Sequence, residues 1–452
     1  MHHLGWLFEI FDRNRERFFM IHEDRPVSYS WLIENVRQYS AQLDEHGLKA
    51  GTIAALRGDY SPQIVAALLA LVDRGVIVVP LSPAAAAQEA EFLDIAEVQA
   101  VWSFPPDADG ESMLEKRAVT PSHPLFGELV QRDHPGLVLF SSGSTGKSKA
   151  ALHDFARLLD KFKKPRRGMV TLTFLMIDHI GGINTLLHVL SNAGTVVVSP
   201  SRDPHVVCAT IAAQKVELLP TSPTFLNLLV LSEAYNHYDL SSLKLITYGT
   251  EMMPKHTLER ISELLPHVTL QQTYGLSEVG ILRSKSERSD SLWVRVGGEG
   301  YETKVKDGTL WIKAQSAMMG YLNASSPFDA EGWLNTGDLV EVQGEYVRFL
   351  GRATEIINVG GQKVYPAEVE NVLMEIPNVR DVTVSSAPNP ITGNIVVAHF
   401  NLSEPEDFTA FKKRVREFCR GRLDPFKIPA RMQIVQNDQF SGRFKKMRCK
   451  TE

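Results

Sequence analysis

The chain has 452 residues, 44% of them apolar and 22% charged, with a formal net charge of −5. That length exceeds what one hydrophobic core serves and implies two or three ordinary globular domains. The mild negative charge excludes a general pull toward nucleic acid or anionic membrane, and no run of about 18 uninterrupted apolar residues could span a bilayer.

In chain order, Glu9, Asp12 and Arg13 interrupt the apolar character of the N-terminus, so no secretory leader is expected. The stretch Ile64 to Pro80, broken by Asp73-Arg74, reads as a helix, a turn at Gly75 and a buried strand, Val76-Ile-Val-Val-Pro80. Residues 103–123, rich in Pro, Asp and Ser, read as a surface loop. Gly136-Leu-Val-Leu-Phe140 reads as a buried strand, and Thr195–Ser199, Val216–Pro220 and Leu243–Tyr248 are short β-branched strands alternating with helical periods. This alternation predicts an α/β fold with largely buried sheets.

The pattern shifts at Leu350-Gly-Arg-Ala-Thr354. Beyond it come a helix (Pro366 to Glu375), two strands (Val379 to Ser385, Ile395 to Asn401) and a second helix (Phe408 to Arg422). Residues 1–351 are expected to form a large multi-layered α/β domain and residues 352–452 a small mobile α+β domain. Stretch 408–450 holds thirteen Lys or Arg against three acidic residues. It reads as a solvated helix face or as an attraction for an acidic or phosphorylated partner. Without aromatic interleaving it does not read as a nucleic-acid surface. Cys208, Cys419 and Cys449 are odd in number and widely spaced, as expected of reduced thiols in a cytoplasmic protein.

The strand at 136–140 runs into Ser141-Ser-Gly-Ser-Thr-Gly-Lys-Ser-Lys149. Gly143 and Gly146 let the backbone bend and present N–H groups to an anion. Ser141, Ser142, Ser144 and Thr145 add hydroxyl donors, and Lys147 and Lys149 add charge. A flexible linker is the plain alternative, but linkers seldom follow a buried strand. The common nucleotide loop needs glycine where Ser141 stands, so an ordinary phosphate-loop NTPase is not indicated.

The run resembles the phosphate loop of adenylate-forming enzymes: acyl- and aryl-CoA synthetases, luciferases and adenylation domains. There the loop usually ends Pro-Lys-Gly; here Ser148-Lys149-Ala150 keeps the lysine. Four further segments follow in the family's order, so that the likeness covers roughly residues 20 to 450. Gln272-Thr-Tyr-Gly-Leu-Ser-Glu278 is similar to the family's Tyr-Gly-x-Thr-Glu; it implies Tyr274 on adenine, Ser277 at the α-phosphate and Glu278 on Mg²⁺. Trp333-Leu-Asn-Thr-Gly-Asp338 implies Asp338 on the ribose hydroxyls. Gly351-Arg352 to Glu370 resembles the domain junction of acyl-CoA synthetases. It implies Arg352 on the nucleotide, a hinge at Thr354 (where members commonly carry Asp or Lys) and room for a pantetheine arm at Gly360-Gly361.

The last segment, Phe440-Ser-Gly-Arg443-Phe-Lys445-Lys446-Met-Arg448, leaves two candidates for the family's C-terminal catalytic lysine. Arg443 takes that position literally; Lys445 takes it after a two-residue shift that keeps Arg448 three residues later. Met176-Ile-Asp-His179-Ile-Gly-Gly resembles the Asp-His-Ile-Gly-Gly variant of bacterial acyl-CoA ligases, closest to fatty acid/acyl-CoA ligases. By the same likeness Thr221 and Tyr248 face the substrate, Gly249 and Thr250 face ATP, and Glu251 is an unusual polar group near the pocket.

The resemblance implies ATP-dependent activation of a carboxylic acid, fatty or aromatic, as acyl-AMP. Transfer to the thiol of CoA or of a carrier-protein phosphopantetheine follows. The alternative is a non-catalytic nucleotide- or acyl-binding relative, favoured by Arg443 and Thr354 and opposed by Lys149, Glu278, Asp338 and Arg352.

Overall fold

The computed structural model describes residues 2–104, 112–142 and 148–435; of Ser142 only the backbone is described. The N-terminal part is built on two seven-stranded sheets. In the first, Thr269–Gln272, Leu245–Tyr248, Leu218–Thr221, Val170–Thr173, Thr195–Val198 and Phe18–His22 are parallel, and Arg25–Ser28 closes one edge antiparallel. In the second, Gly136–Ser142, Ile77–Leu81, Ile53–Arg57 and Ala100–Ser103 are parallel, with antiparallel strands at both flanks. The short β-branched runs become central strands because parallel sheets bury both faces.

Helices Pro62–Asp73 and Ile180–Ser191 are buried almost all round and share one apolar core that joins the two sheets. Ser61 caps the first ahead of Pro62 at its first position, and His179 caps the second. The first helix and the strand Ile77–Leu81 thus reproduce the expected helix–turn–strand.

The expected loop at 103–123 is corrected in part. Met113–Lys116 forms an edge strand antiparallel to Ala100–Ser103, held by backbone pairing while its side chains remain largely exposed. Such a strand has no buried face, so it leaves no apolar alternation to read.

A six-stranded antiparallel sheet follows, in which Leu334–Gln343 pairs with Tyr346–Arg352 and sets Asp338 opposite Arg352. The C-terminal domain is small, with a five-stranded sheet flanked by helices Pro366–Leu373 and Phe408–Cys419. Its core runs from Ile357 to Met432, separate from the cores before it. Its two long strands, Val379–Asn389 and Gly393–Leu402, extend beyond the apolar runs, since the hairpin joining them continues to pair. No described helix is long and apolar enough to cross a membrane.

Candidate functional site

A cavity of about 470 Å³ opens where the two sheets, the six-stranded sheet and the C-terminal domain meet. Four of the five sequence segments place side chains on its wall; the fifth lies outside the described residues.

One end is built on a single carboxylate. The turn at Gly337, with φ +72°, directs the following Asp338 inward, and its backbone N–H is held by Thr336 Oγ1 at 3.0 Å. Tyr274 donates its phenol to Asp338 Oδ2 at 2.5 Å, while Arg352 Nε lies 3.3 Å from Asp338 Oδ1. Burial pushes the Asp338 carboxyl above the ordinary range, against the opposing pull of Tyr274 and Arg352. Burial and the neighbouring Asp338 raise the Tyr274 phenol, which therefore stays a donor. The Tyr274 ring stacks on Phe349 at 4.6 Å between centroids.

Beside them, a Cβ on Gly249 would stand 2.6 Å from Thr273 Oγ1 and 2.7 Å from its carbonyl, so only glycine fits. Thr250 lines the cavity with a left-handed φ of +73°. Gln272, which the motif reading passed over, also lines the wall, and its Oε1 is buried with no hydrogen-bond partner among the described residues. A buried acceptor in that condition is ready for a ligand donor.

At the other end, Ser277 and Glu278 follow the hairpin turn between Gly275–Leu276 and Gly280–Ile281. Tyr321 donates to Glu278 Oε1, and Lys149 lies 5.1 Å from the centre of the Tyr321 ring. The strands Gly136–Ser142 and Ser148–Asp154 pair antiparallel, with Ser141 opposite Lys149, so the two flanks of the phosphate-loop segment meet here. Glu278 is a lone carboxylate, and no cluster of three or more metal-ligating side chains occurs among the described residues. That set fits Mg²⁺, which commonly takes one or two protein carboxylates and completes its shell with phosphates and water. His153 is fully buried near the Ser277 backbone, and burial lowers its imidazole to about 4, leaving it neutral at pH 7.

The third region is walled by helix Ile180–Ser191 and the segment around Thr221–Thr224. His179 Nδ1 accepts the Gly181 N–H at 3.0 Å, which puts the proton of the neutral ring on Nε2. A Cβ on Gly182 would lie 1.9 Å from the Met176 carbonyl, so the tight approach of this helix start requires glycine. Thr221 lines the cavity with its hydroxyl buried and unpartnered among the described residues, and Glu251 accepts from the Thr224 hydroxyl at 3.0 Å.

Tyr248 is a correction. It is absent from the cavity wall and packs into the core among Ile246 and its neighbours, whereas Thr247, on the opposite face of the same strand, lines the cavity. Gly360 and Gly361 occupy the turn between Ile357–Val359 and Gln362–Val364, with φ of +57° and +85°, and lie away from the cavity. The domain instead presents Glu370, Asn371, Met374 and Arg380 to it. Thr354 is exposed in the short turn Ala353–Glu355 that follows Arg352. Gly143, Ser144, Thr145 and Gly146, together with Arg443 and Lys445, lie outside the described residues.

A carboxylate held by a phenol and a guanidinium, a stacked aromatic pair and the hairpin bearing Ser277 and Glu278 lie along one cleft. Residues 7–322 match the AMP-binding enzyme family and residues 368–443 the AMP-binding enzyme C-terminal domain. The chain belongs to the AMP-binding enzyme family.

Among its relatives, the indoleacetate–CoA ligase of Aromatoleum aromaticum is 28% identical, over 90% of this chain and 89% of that protein. The 2-succinylbenzoate–CoA ligase of Bacillus licheniformis is 25% identical, over 100% and 99% respectively. The anthranilate–CoA ligase AuaEII, solved with anthranoyl-AMP, superposes with a TM-score of 0.83 at 18% identity, covering 99% of this chain and 95% of that one. The o-succinylbenzoate–CoA synthetase of Bacillus subtilis, solved with its acyl-adenylate, gives 0.76 at 22% identity, covering 98% and 97%. The last two likenesses carry the fold alone.

Proposed function

We propose that the protein is an AMP-forming acid–thiol ligase. It joins a carboxylic acid to the α-phosphate of ATP, releases pyrophosphate, and passes the acyl group to a thiol. The observation that carries this reading is the pairing of Tyr274 and Arg352 on Asp338 in the same cavity that holds Glu278 and His179.

Asp338 accepts the ribose hydroxyls, with Arg352 and Tyr274 fixing its orientation. Gln272 Oε1 offers an acceptor beside the base, and Gly249 lets the backbone approach it. At the reacting centre Ser277 donates to the α-phosphate oxygens, while Lys149 and the adjoining hydroxyl loop hold the departing pyrophosphate. Glu278 would hold Mg²⁺, which would supply charge neutralisation at the phosphates. No side chain serves as nucleophile, because the substrate carboxylate attacks directly and alignment lowers the barrier. Arg443 or Lys445 supplies the C-terminal cation.

Two domains, 1–351 and 352–452, moving about Thr354, then expose the adenylate to CoA or to a carrier-protein pantetheine passing Gly360-Gly361. The separate C-terminal core supports that division. The buried free thiols of Cys208 and Cys419 support a cytoplasmic setting. The non-catalytic alternative is not favoured, because the relatives are named as ligases over nearly the whole chain.

Carboxylate-dependent exchange of labelled pyrophosphate into ATP tests the reading. Exchange with at least one acid, strongly reduced by Asp338→Ala at subsaturating ATP, is expected. Intact ATP binding without exchange across a broad acid panel would overturn it.

A further inference from the structure

Lys161 belongs to none of the functional motifs, yet it stands directly behind the cavity wall. Its Nζ donates to Asn184 Oδ1 at 2.5 Å and to the Ile281 carbonyl at 2.9 Å. Both acceptor residues line the cavity. Asn184 sits one turn into helix Ile180–Ser191, and Ile281 ends the hairpin that carries Ser277 and Glu278. The Tyr301 hydroxyl donates to the same Ile281 carbonyl at 3.1 Å, so this corner of the wall is doubly fixed.

Lys161 meets the Asn184 amide at its oxygen and gives a second N–H to the Ile281 carbonyl. Asn184 Nδ2 is then turned away from the lysine, and it has no recorded acceptor among the described residues. The charged or titratable groups acting on Lys161 are Arg166 and Arg283, and the buried His188 lies in the same cluster. No described carboxylate forms a salt bridge with it.

We propose that Asn184, oriented by Lys161, is a specificity-determining donor that selects acids carrying a second, acceptor oxygen remote from the reacting carboxyl. Hydroxyl, keto and second carboxylate groups share that chemistry. A plain hydrocarbon tail filling the pocket would displace water from the amide donor without replacing its partner, which is how a polar wall discriminates between acids. Lys161 is a positioning residue, acting through Asn184. The inference rests on the acid-activation reading above and narrows its substrate class.

The test is pyrophosphate exchange with matched acids: phenylpropanoate and its ring-hydroxylated analogue, then octanoate, its terminally hydroxylated analogue and the eight-carbon diacid. The wild-type protein is expected to favour an oxygenated member by at least about tenfold in kcat/KM. A preference confined to the diacid identifies an anionic group, and one shared by the hydroxy acids a neutral acceptor. Asn184→Leu should bring the ratio near unity. Asn184→Asp, which keeps the lysine contact but has no donor, should abolish any preference for the diacid, while a hydroxyl can still donate to it, and this guards against a folding defect. Lys161→Met should lower the ratio through KM for the acid while KM for ATP stays constant, a split that general loss of structure would not produce. Exchange without preference, or a preference surviving both Asn184 variants, overturns this inference and leaves the acid-activation reading standing. Failure of every acid to support exchange overturns both.

Discussion

Asp338 and Arg352 stand opposite each other on the antiparallel pair Leu334–Gln343 and Tyr346–Arg352, and their side chains meet at 3.3 Å. The carboxylate proposed to hold the ribose is thereby tied to the residue just before the short turn Ala353–Glu355. Asp338→Ala should weaken ATP binding by roughly 1–3 kcal/mol, the ordinary cost of removing a charged hydrogen-bond partner. Arg352→Ala should weaken it less, since the ribose acceptor remains. Isothermal titration with ATP measures both.

The same carboxylate gives a pH signature. Burial raises its folded-state pKa, so protonation begins at a higher pH than for an ordinary aspartate. In the proposed role the ionised form accepts the ribose hydroxyls, so ATP affinity should fall on acidification from above the usual carboxylate range. Asp338→Asn should bind weakly and lose that pH dependence.

Tyr321 holds one oxygen of Glu278 and carries Lys149 near its ring face. Tyr321→Phe keeps the ring and removes the hydrogen bond. The expected outcome is a fall of about tenfold in exchange rate at saturating Mg²⁺, with little change in KM for the acid. Steady-state kinetics with varied Mg²⁺ would read it.

Thr250 is β-branched and holds φ +73°, a conformation that costs such residues about 1–3 kcal/mol. Thr250→Gly should therefore raise the urea midpoint if relief of strain exceeds the entropy that glycine loses on folding. AMP binding should be retained.

Lys161 should also leave a stability signature. Burial, with Arg166 and Arg283 nearby, lowers its folded-state pKa to about 7. Below that pH both states carry the proton and the folded state bears the full cost of burying it. Between about 7 and the ordinary lysine value near 10.4, the unfolded chain holds the proton and the folded one does not, so stability rises with pH. Lys161→Met should gain most over wild type below pH 7. The gain should shrink above it by at most about 1.4 kcal/mol per pH unit, as paired denaturation curves would show.

Much of the site was legible because its chemistry is local. Glu278, Asp338, Arg352 and Lys149 each sit in a contiguous segment whose glycines and hydroxyls announce a turn beside an anion. What escaped was what the fold assembles from afar. Tyr321 reaches Glu278 across 43 residues, and Tyr274 reaches Asp338 across 64, which no segment can display alone. Lys161 stands in no motif, and its contacts to helix Ile180–Ser191 and the hairpin at Ile281 arise only in the fold. Tyr248 could have been placed by strand alternation: with Ile246 facing the core, period two turns Tyr248 inward and Thr247 to the cavity.

The central claim is that a carboxylate oxygen attacks the α-phosphate. With an acid that supports exchange, ¹⁸O placed in its carboxyl group and a thiol acceptor present, mass spectrometry should find one ¹⁸O atom in the AMP released. Label appearing in inorganic phosphate, with AMP unlabelled, would contradict the account.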